Sequence, residues 1–258
     1  MYFKSILNWV LSIGSVIFMF MVFFPTFAAD TAFMEQILAH YPEELLKAFG
    51  MDTELSLSTV LGYFSFTFVF VQLLLAIQSA NYGFHFLSVE ERELTADFLM
   101  SKPVSRQKIL VSKFLAAFTS LTITNTFVWI LSFAAIELFN NGAQYDAGHL
   151  ITLLLTNTLF QIFFLSFGNV ISVSIQRIGS VLSYSLGFTF GLYLLNTFQS
   201  ILGGELVGYL TPFYHFDPSY ILKHNSLNWS YAFISISLSA AALGITYYRY
   251  LRRDIHSV

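Results

Sequence analysis

The stretch STVLGYFSFTFVFVQLLLAIQSA, residues 58–80, decides the fold class of this chain. It carries no charged side chain over its 23 residues. A helix needs about 20 mostly apolar residues to cross the hydrocarbon core of a bilayer. We therefore interpret residues 58–80 as a membrane-spanning helix.

Five further stretches of the chain have the same character. Hydrophobic residues make up 56% of the sequence and charged residues only 10%, whereas a soluble domain carries roughly 25% charged residues. The chain is therefore predicted to be an all-α, polytopic membrane protein with one transmembrane domain, residues 1–258. Besides residues 58–80, its predicted spans are residues 6–28, 114–136, 150–174, 179–202 and 228–248.

The first apolar stretch could also be a cleaved signal peptide. Its uncharged run, residues 5–29, is longer than the 7–15-residue apolar core typical of signal peptides, and no small-residue cleavage pattern follows. We interpret it as a retained helix, with Pro25 near its outer end as a point where the helix kinks or ends.

Lysine and arginine set the predicted orientation, because these residues accumulate on the cytoplasmic side of membrane proteins. With six spans and a cytoplasmic N-terminus, ten of the twelve basic residues lie inside and two lie outside. An odd number of spans would move the basic C-terminal end outside and weaken this asymmetry. Both termini are therefore predicted to be cytoplasmic. The inner residues are Lys4, Arg92, Lys102, Arg106, Lys108, Lys113, Arg177, Arg249, Arg252 and Arg253, and the outer ones are Lys47 and Lys223.

The inner loop, residues 82–112, is the most informative connection. It contains SVEERELTADFLMSKPVSRQKILVSK, residues 88–113. The pattern predicts a short acidic amphipathic helix over residues 89–100, a break at Lys102 and Pro103, and a new helix capped by Ser105. An acidic helix is not attracted to an anionic membrane surface, so this loop is either a solvated connector or a docking element for a protein partner.

The outer connections, residues 29–57 and 203–227, are less specific. The first has apolar residues at helical spacing and reads as an interfacial helix or a plain connector. The second is rich in aromatic residues, which suit the membrane interface, and either dips into the bilayer or lies on it. His215 and Asp217 in this loop are the nearest approach to a metal pair, and a hydrogen-bonding role is the better interpretation.

Motifs for catalysis are lacking. The sequence has no GxxxxGK[ST] phosphate-binding loop, so the chain is not expected to hydrolyse ATP. It has no cysteine and no histidine pair at zinc-binding spacing, so no catalytic residue, metal site or cofactor is predicted. The predicted spans contain no charged side chain, and the asparagine and glutamine amides inside them are neutral groups that usually join helices to one another. A proton-coupled carrier would need a buried charge, so any transport is expected to be powered from outside this chain.

The inner loop resembles the cytoplasmic stretch of ABC-2-type transporter permeases. The resemblance rests on the acidic segment that begins at Glu90 and on Leu99, the run Pro103-Val104-Ser105-Arg106, Ile109 and Lys113. PEELLKAFG (residues 42–50), TPFYHFDP (residues 211–218) and RRDI (residues 252–255) are similar to further features of that family, in the same order along the chain.

The resemblance implies a permease subunit that works with a cytoplasmic ABC ATPase and with a second permease subunit, identical or different, in the lipid of a cell membrane. ATP and magnesium would be bound by the ATPase, and nucleic acid plays no part. The inner loop would be a coupling helix docked on the ATPase, with export as the expected direction and a prokaryotic plasma membrane as the expected location. The residues that the resemblance assigns to coupling are Glu90, Glu91, Glu93, Leu94, Asp97, Phe98, Pro103 and Arg106.

Two other functions remain open at this point. A membrane scaffold or assembly subunit would bind partners without transport of its own, and a channel or facilitator would conduct without any ATPase. The sequence does not indicate the substrate.

Overall fold

The computed structural model describes residues 2–29, 31–42, 46, 51, 55–93, 95, 103–175, 178–202 and 205–252. Every regular element in these ranges is a helix, which confirms the all-α prediction. In chain order the helices are α1 (Tyr2–Met21), α2 (Phe24–Ala29), α3 (Thr31–Leu38), α4 (Val60–Arg92), α5 (Arg106–Phe139), α6 (Ala147–Ser174), α7 (Val181–Leu202), α8 (Glu205–Gly208), α9 (Pro212–His215), α10 (Pro218–His224) and α11 (Trp229–Arg252).

Within the described ranges, six helical segments are long and apolar enough to cross a membrane, as predicted. They are Phe3–Ala29 (α1 with α2), Val60–Glu90, Arg106–Phe139, Ala147–Ser174, Val181–Gln199 and Trp229–Arg252. Below, the inner end of the bundle is the end where α4 finishes and α5 begins, and the outer end is the opposite one. The inner end is the one predicted to face the cytoplasm.

The first span is broken near its outer end. α1 ends at Met21 and α2 begins at Phe24. Pro25 accounts for the break, because its ring lacks an N–H and would clash with the carbonyl of Met21, four residues earlier. The proline therefore interrupts the helix just before itself, close to the predicted position.

The helices on either side of the inner loop are longer than the predicted spans. α4 continues past residue 80 to Arg92, and α5 begins at Arg106, eight residues before residue 114. Most of the described part of the predicted loop, residues 82–112, is therefore helical. The prediction bounded the spans by the length needed to cross a membrane, whereas α4 continues because Phe84 and Leu87 extend its buried face.

The predicted acidic helix over residues 89–100 is helical over residues 89–92, but these residues continue α4 and do not begin a separate helix. Residues 89–92 form the last turn of α4, and Glu93 ends that helix. The Glu93 and Thr95 amides donate to the carbonyls of Val89 and Glu90, each at 2.8 Å. The three carboxylates of Glu90, Glu91 and Glu93 favour the end of α4 at this point, because the C-terminal end of a helix is itself negative. Leu94 and residues 96–102 lie outside the described residues.

The connection between the first two spans begins with a helix. α3 covers Thr31–Leu38, in agreement with the helix predicted in the outer loop of residues 29–57. Most of the PEELLKAFG segment lies outside the described residues.

α4 is the central helix, and its closest crossing is with α6. A Cβ atom at Gly83 would lie 2.6 Å from the carbonyl oxygen of Leu165, and one at Gly168 would lie 2.9 Å from that of Ala80. Glycine at both positions allows the two backbones to approach, as is common between membrane helices. The Ser172 hydroxyl donates across the same crossing to the Phe84 carbonyl at 3.3 Å.

Residues 205–224, here called the outer wedge, lie between the helices rather than on top of them. The Gln72 amide donates to the Phe216 carbonyl at 2.9 Å, and the Thr211 hydroxyl donates to the Leu192 carbonyl at 3.1 Å. Gln72 is twelve residues from the start of α4, which corresponds to about 18 Å along the helix axis. The outer wedge therefore reaches well below the outer end of α4.

Candidate functional site

The inner ends of four helices meet in one small apolar cluster. Its buried members are Leu87 of α4, Ile109 and Leu110 of α5, Val173 of α6 and Tyr250 of α11. Each comes from the last turns of its helix at that end, or from the first turns in the case of α5. The cluster joins the two sides of the inner loop to the two other helices that finish nearby.

A salt bridge joins the helices that flank the inner loop. The Lys113 ammonium of α5 contacts the Glu90 carboxylate of α4, and it also donates to the carbonyl of Phe86 at 2.5 Å. Only 20% of the Glu90 side chain and 14% of the Lys113 side chain are exposed. An ion pair this shielded from water resists separation, because either charge alone would be left poorly solvated. α4 and α5 are therefore held together at the base of the loop.

Two arginines attach the C-terminal helix to the same end. Arg106, the first residue of α5, donates to the Leu251 carbonyl of α11 at 3.4 Å. Arg249 of α11 donates to the Ser174 hydroxyl of α6 at 2.7 Å. The inner loop is thus anchored in a platform to which α4, α5, α6 and α11 all contribute.

The predicted coupling residues separate into distinct groups in the structure. Glu93 and Pro103 are exposed at the two ends of the loop. Glu90 and Arg106 instead make contacts within the chain, and Glu91 lies in the last turn of α4. Leu94, Asp97 and Phe98 lie outside the described residues. The structure brings Glu90 and Arg106 into the platform, while Glu93 and Pro103 mark where the loop leaves it.

Ser105 caps α5 as predicted. Its hydroxyl accepts a hydrogen bond from the Lys108 amide at 3.3 Å, and its backbone is extended. This cap satisfies one of the free amides at the start of the helix. The Pro-Val-Ser-Arg run thereby directs the chain out of the loop and into α5.

Sequence reasoning missed the contacts that build the platform. Lys113 was counted among the basic residues of the inner side, and its pairing with Glu90 was not foreseen. The two residues lie 23 positions apart, and no local pattern links them. The available signal was that the two residues carry opposite charges and lie on either side of the inner loop.

His215 and Asp217 do not form a metal pair. The Asp217 carboxylate caps α10 by accepting from the Tyr220 amide at 2.9 Å, whereas His215 shares a hydrogen bond of 2.7 Å with the Ser235 hydroxyl of α11. Burial lowers the pKa of His215 to about 4, although the nearby backbone of Gly208 and Tyr209 acts in the opposite direction and favours its protonation. The predicted hydrogen-bonding role of His215 is confirmed. Across the described ranges, no group of three histidine, aspartate or glutamate side chains could hold a metal ion.

The arrangement at the inner end suits the transmission of force. A loop emerges between two helices that are locked together at its base, and those helices share an apolar cluster with two more. A displacement of the loop would therefore move several helices as a unit, because a packed cluster shifts between arrangements rather than deforming smoothly.

Comparisons with known proteins agree with this architecture. The family described as ABC-2 family transporter protein matches residues 3–255, nearly the whole chain. The curated proteins and the solved structures gave no match. The family match spans all six membrane-crossing segments, the inner loop and the outer wedge. The chain belongs to the ABC-2 transporter family, as a multi-pass permease subunit.

Proposed function

We propose that this permease subunit exports a substrate across a prokaryotic plasma membrane, driven by ATP that a separate cytoplasmic ABC ATPase hydrolyses. The observation that carries the proposal is the platform at the inner end, from which the loop emerges at Glu93 and returns at Pro103. In this proposal ATP and magnesium are bound by the ATPase, and this chain contributes docking and movement.

The docking role centres on the part of the loop beyond the platform. Glu93 is exposed, and with Asp97 it would offer carboxylates to a basic surface of the ATPase, while Leu94 and Phe98 would pack against it. Glu90 takes a different role in this proposal. Because its carboxylate pairs with Lys113, it transmits movement of the loop to α5 rather than contacting the ATPase.

A second permease subunit, identical or different, completes the proposed transporter, and the surface of α7 is where we place it. α7 has an exposed stripe at helical spacing that contains Ser183, Gly187, Gly191, Leu194 and Phe198. No atom lies within 4 Å of a Cβ built on Gly187 or Gly191. Glycine lowers helix stability by about 1 kcal/mol relative to alanine, and lipid alone does not require it, whereas a closely packed partner helix does.

The first test of the proposal is binding to the ATPase. We expect a gene for an ABC ATPase to lie beside that of this chain, and the two proteins are co-expressed and purified through a tag on the permease. We expect the ATPase to co-purify, and the charge reversal Glu93→Lys with Asp97→Lys to abolish its recovery. Lys223→Glu, an exposed reversal at the outer end, is the matched control and retains binding. Undiminished recovery of the ATPase with the double reversal would contradict the docking role.

The second test separates transport from the two other functions. The complex is reconstituted into vesicles, and ATP-dependent movement of candidate solutes is followed. A permease requires the ATPase and ATP for movement. A scaffold would keep the complex without any ATP-dependent flux, and a channel would conduct in the absence of the ATPase.

A further inference from the structure

Three neutral amide side chains form a hydrogen-bonded cluster in the middle of the bundle. Asn125 of α5 donates to the Gln161 side-chain oxygen of α6 at 2.6 Å, and Asn157 of α6 donates to the Asn125 oxygen at 3.4 Å. Asn157 and Gln161 are one helical turn apart, on either side of the midpoint of α6. All three side chains are at least nine-tenths buried. This set is called the amide cluster below.

The amide cluster leaves two polar groups without a hydrogen bond. Among the described residues, the Asn157 side-chain oxygen and the Gln161 side-chain nitrogen are buried and have no partner. One is an acceptor and the other a donor, and both belong to α6. An unpaired amide group in a medium that cannot hydrogen-bond costs several kcal/mol, and no bulk water reaches the core of a bilayer to relieve that cost.

Flipping the side-chain amides, which exchanges their oxygen and nitrogen atoms, still leaves two groups unpaired. If all three were flipped, Asn125 would donate to Asn157 and accept from Gln161, and the Asn157 nitrogen and the Gln161 oxygen would become unpaired instead. In either direction one donor and one acceptor remain on α6, one turn apart. The assignment of oxygen and nitrogen in these side chains therefore does not affect the inference.

We propose that the amide cluster holds a buried water molecule at the centre of the membrane-spanning bundle. Water donates to the unpaired oxygen and accepts from the unpaired nitrogen, so one molecule satisfies both groups in either direction of the network. Buried waters typically make about three hydrogen bonds to polar groups that are otherwise unsatisfied. A cation fits less well, because the unpaired amide nitrogen would point its protons at it.

The inference does not depend on the proposed function. The water site follows from the burial and hydrogen bonding of three side chains within one chain, and it holds for a transporter, a scaffold or a channel alike.

Water-edited solid-state NMR of the protein in vesicles of perdeuterated phosphatidylcholine tests the proposal directly. Side-chain amides of asparagine and glutamine are labelled with ¹⁵N and assigned by substitution. We expect magnetisation to pass from water protons to the Asn157 and Gln161 amides. The Gln72 amide, which is equally buried but donates to the Phe216 carbonyl, is the internal reference and receives less. Transfer to the cluster no stronger than to Gln72 would overturn the proposal.

A substituted protein assigns the signals of the amide cluster. The variant Asn125→Leu, Asn157→Leu and Gln161→Met replaces all three amides with apolar groups of similar size, so that no polar group in the cluster needs a partner. Its spectrum lacks the three side-chain amide signals of the cluster, which assigns those signals in the wild type, while the reference signal of Gln72 persists. If this variant does not fold, the comparison of the cluster with Gln72 in the wild-type protein still tests whether a water is bound. A direct hydrogen bond between the Asn157 and Gln161 side chains, seen as an amide-to-amide contact without water transfer, would also overturn it.

Discussion

α4 and α7 are both apolar enough to cross a membrane, yet they differ in how much of their surface is buried within the chain. In the most apolar stretch of each helix, 72% of α4 is buried inside the chain but only 17% of α7. Glycines show the same contrast, since Gly83 of α4 is pressed against α6 and Gly187 of α7 faces open space. Apolar composition alone therefore does not say whether a helix packs within its own chain or is left for lipid or another subunit.

The polar side chains of α4 also show that this helix is buried within the chain. Gln72 and Gln78 of α4 are buried, and their amides donate to the Phe216 carbonyl and the Thr124 hydroxyl. α7 meets the outer wedge at the Leu192 carbonyl, while much of its remaining surface is exposed. α4 is the helix around which the subunit is built, and α7 is its most accessible span.

The largest expected effect comes from adding one methyl group to the α4–α6 crossing. Gly83→Ala would place a Cβ 2.6 Å from the backbone oxygen of Leu165, so the two helices must separate, at a cost of about 3 kcal/mol. Gly187→Ala on α7 meets no atom within 4 Å and serves as the matched control. Thermal unfolding of both variants in detergent measures the difference. Equal melting temperatures of the two variants would show that Gly83 is not required for close packing of α4 against α6.

A second effect concerns the outer wedge, which contacts both α4 and α7. Because burial lowers the pKa of His215 from 6.5 to about 4, the folded protein keeps this ring neutral where the unfolded chain binds a proton. Stability is therefore retained above pH 6.5 and lost as the pH falls towards 4, by about 2 kcal/mol between pH 7 and pH 5.

His215→Asn isolates this contribution, because asparagine can keep a hydrogen bond to Ser235 but does not titrate. Unfolding is followed by urea titration at several pH values for both proteins. The variant should lose less stability on acidification than the wild type. The same loss in both proteins would show that other groups cause it.

A smaller effect is expected at the inner platform. Lys113→Met leaves the Glu90 carboxylate without its partner in a largely buried position, at a cost of about 1–2 kcal/mol. Adding Glu90→Gln should restore part of the loss, since it removes the stranded charge. Chemical unfolding of the two single variants and the double variant gives the coupling between them. Additive losses would mean that the pair does not join α4 to α5.

The smallest effect on the subunit itself is expected on the stripe of α7. Gly187→Leu and Gly191→Leu, each made singly, should raise the stability of the isolated subunit by no more than about 1 kcal/mol, while hindering close approach of a second subunit. The chain has no cysteine, so single cysteines at Leu194 or Phe198 report on that approach through disulfide cross-linking in membranes. Cross-linking that survives the leucine substitutions would place the partner elsewhere.

Part of the candidate site could be read from the sequence. The run Pro103-Val104-Ser105-Arg106 predicted the start of α5 correctly, because an N-cap depends on residues next to each other. The end of α4 was misplaced by twelve residues, because the length needed to cross a membrane does not determine where a helix stops. The pairing of Glu90 with Lys113 and the contact of Arg106 with α11 could not be predicted, since they depend on which helix ends meet.

By itself the sequence determined that six apolar helices exist, where most of them lie, and which family they belong to. These properties are local, because hydropathy and capping depend on neighbours along the chain. Only the tertiary structure decided that α4 is central and α7 peripheral, that the outer wedge reaches Gln72, and that three amides meet at mid-bundle. In an apolar solvent every outward face is as hydrophobic as every inward one. Packing, small residues and hydrogen bonds between distant helices therefore make those choices.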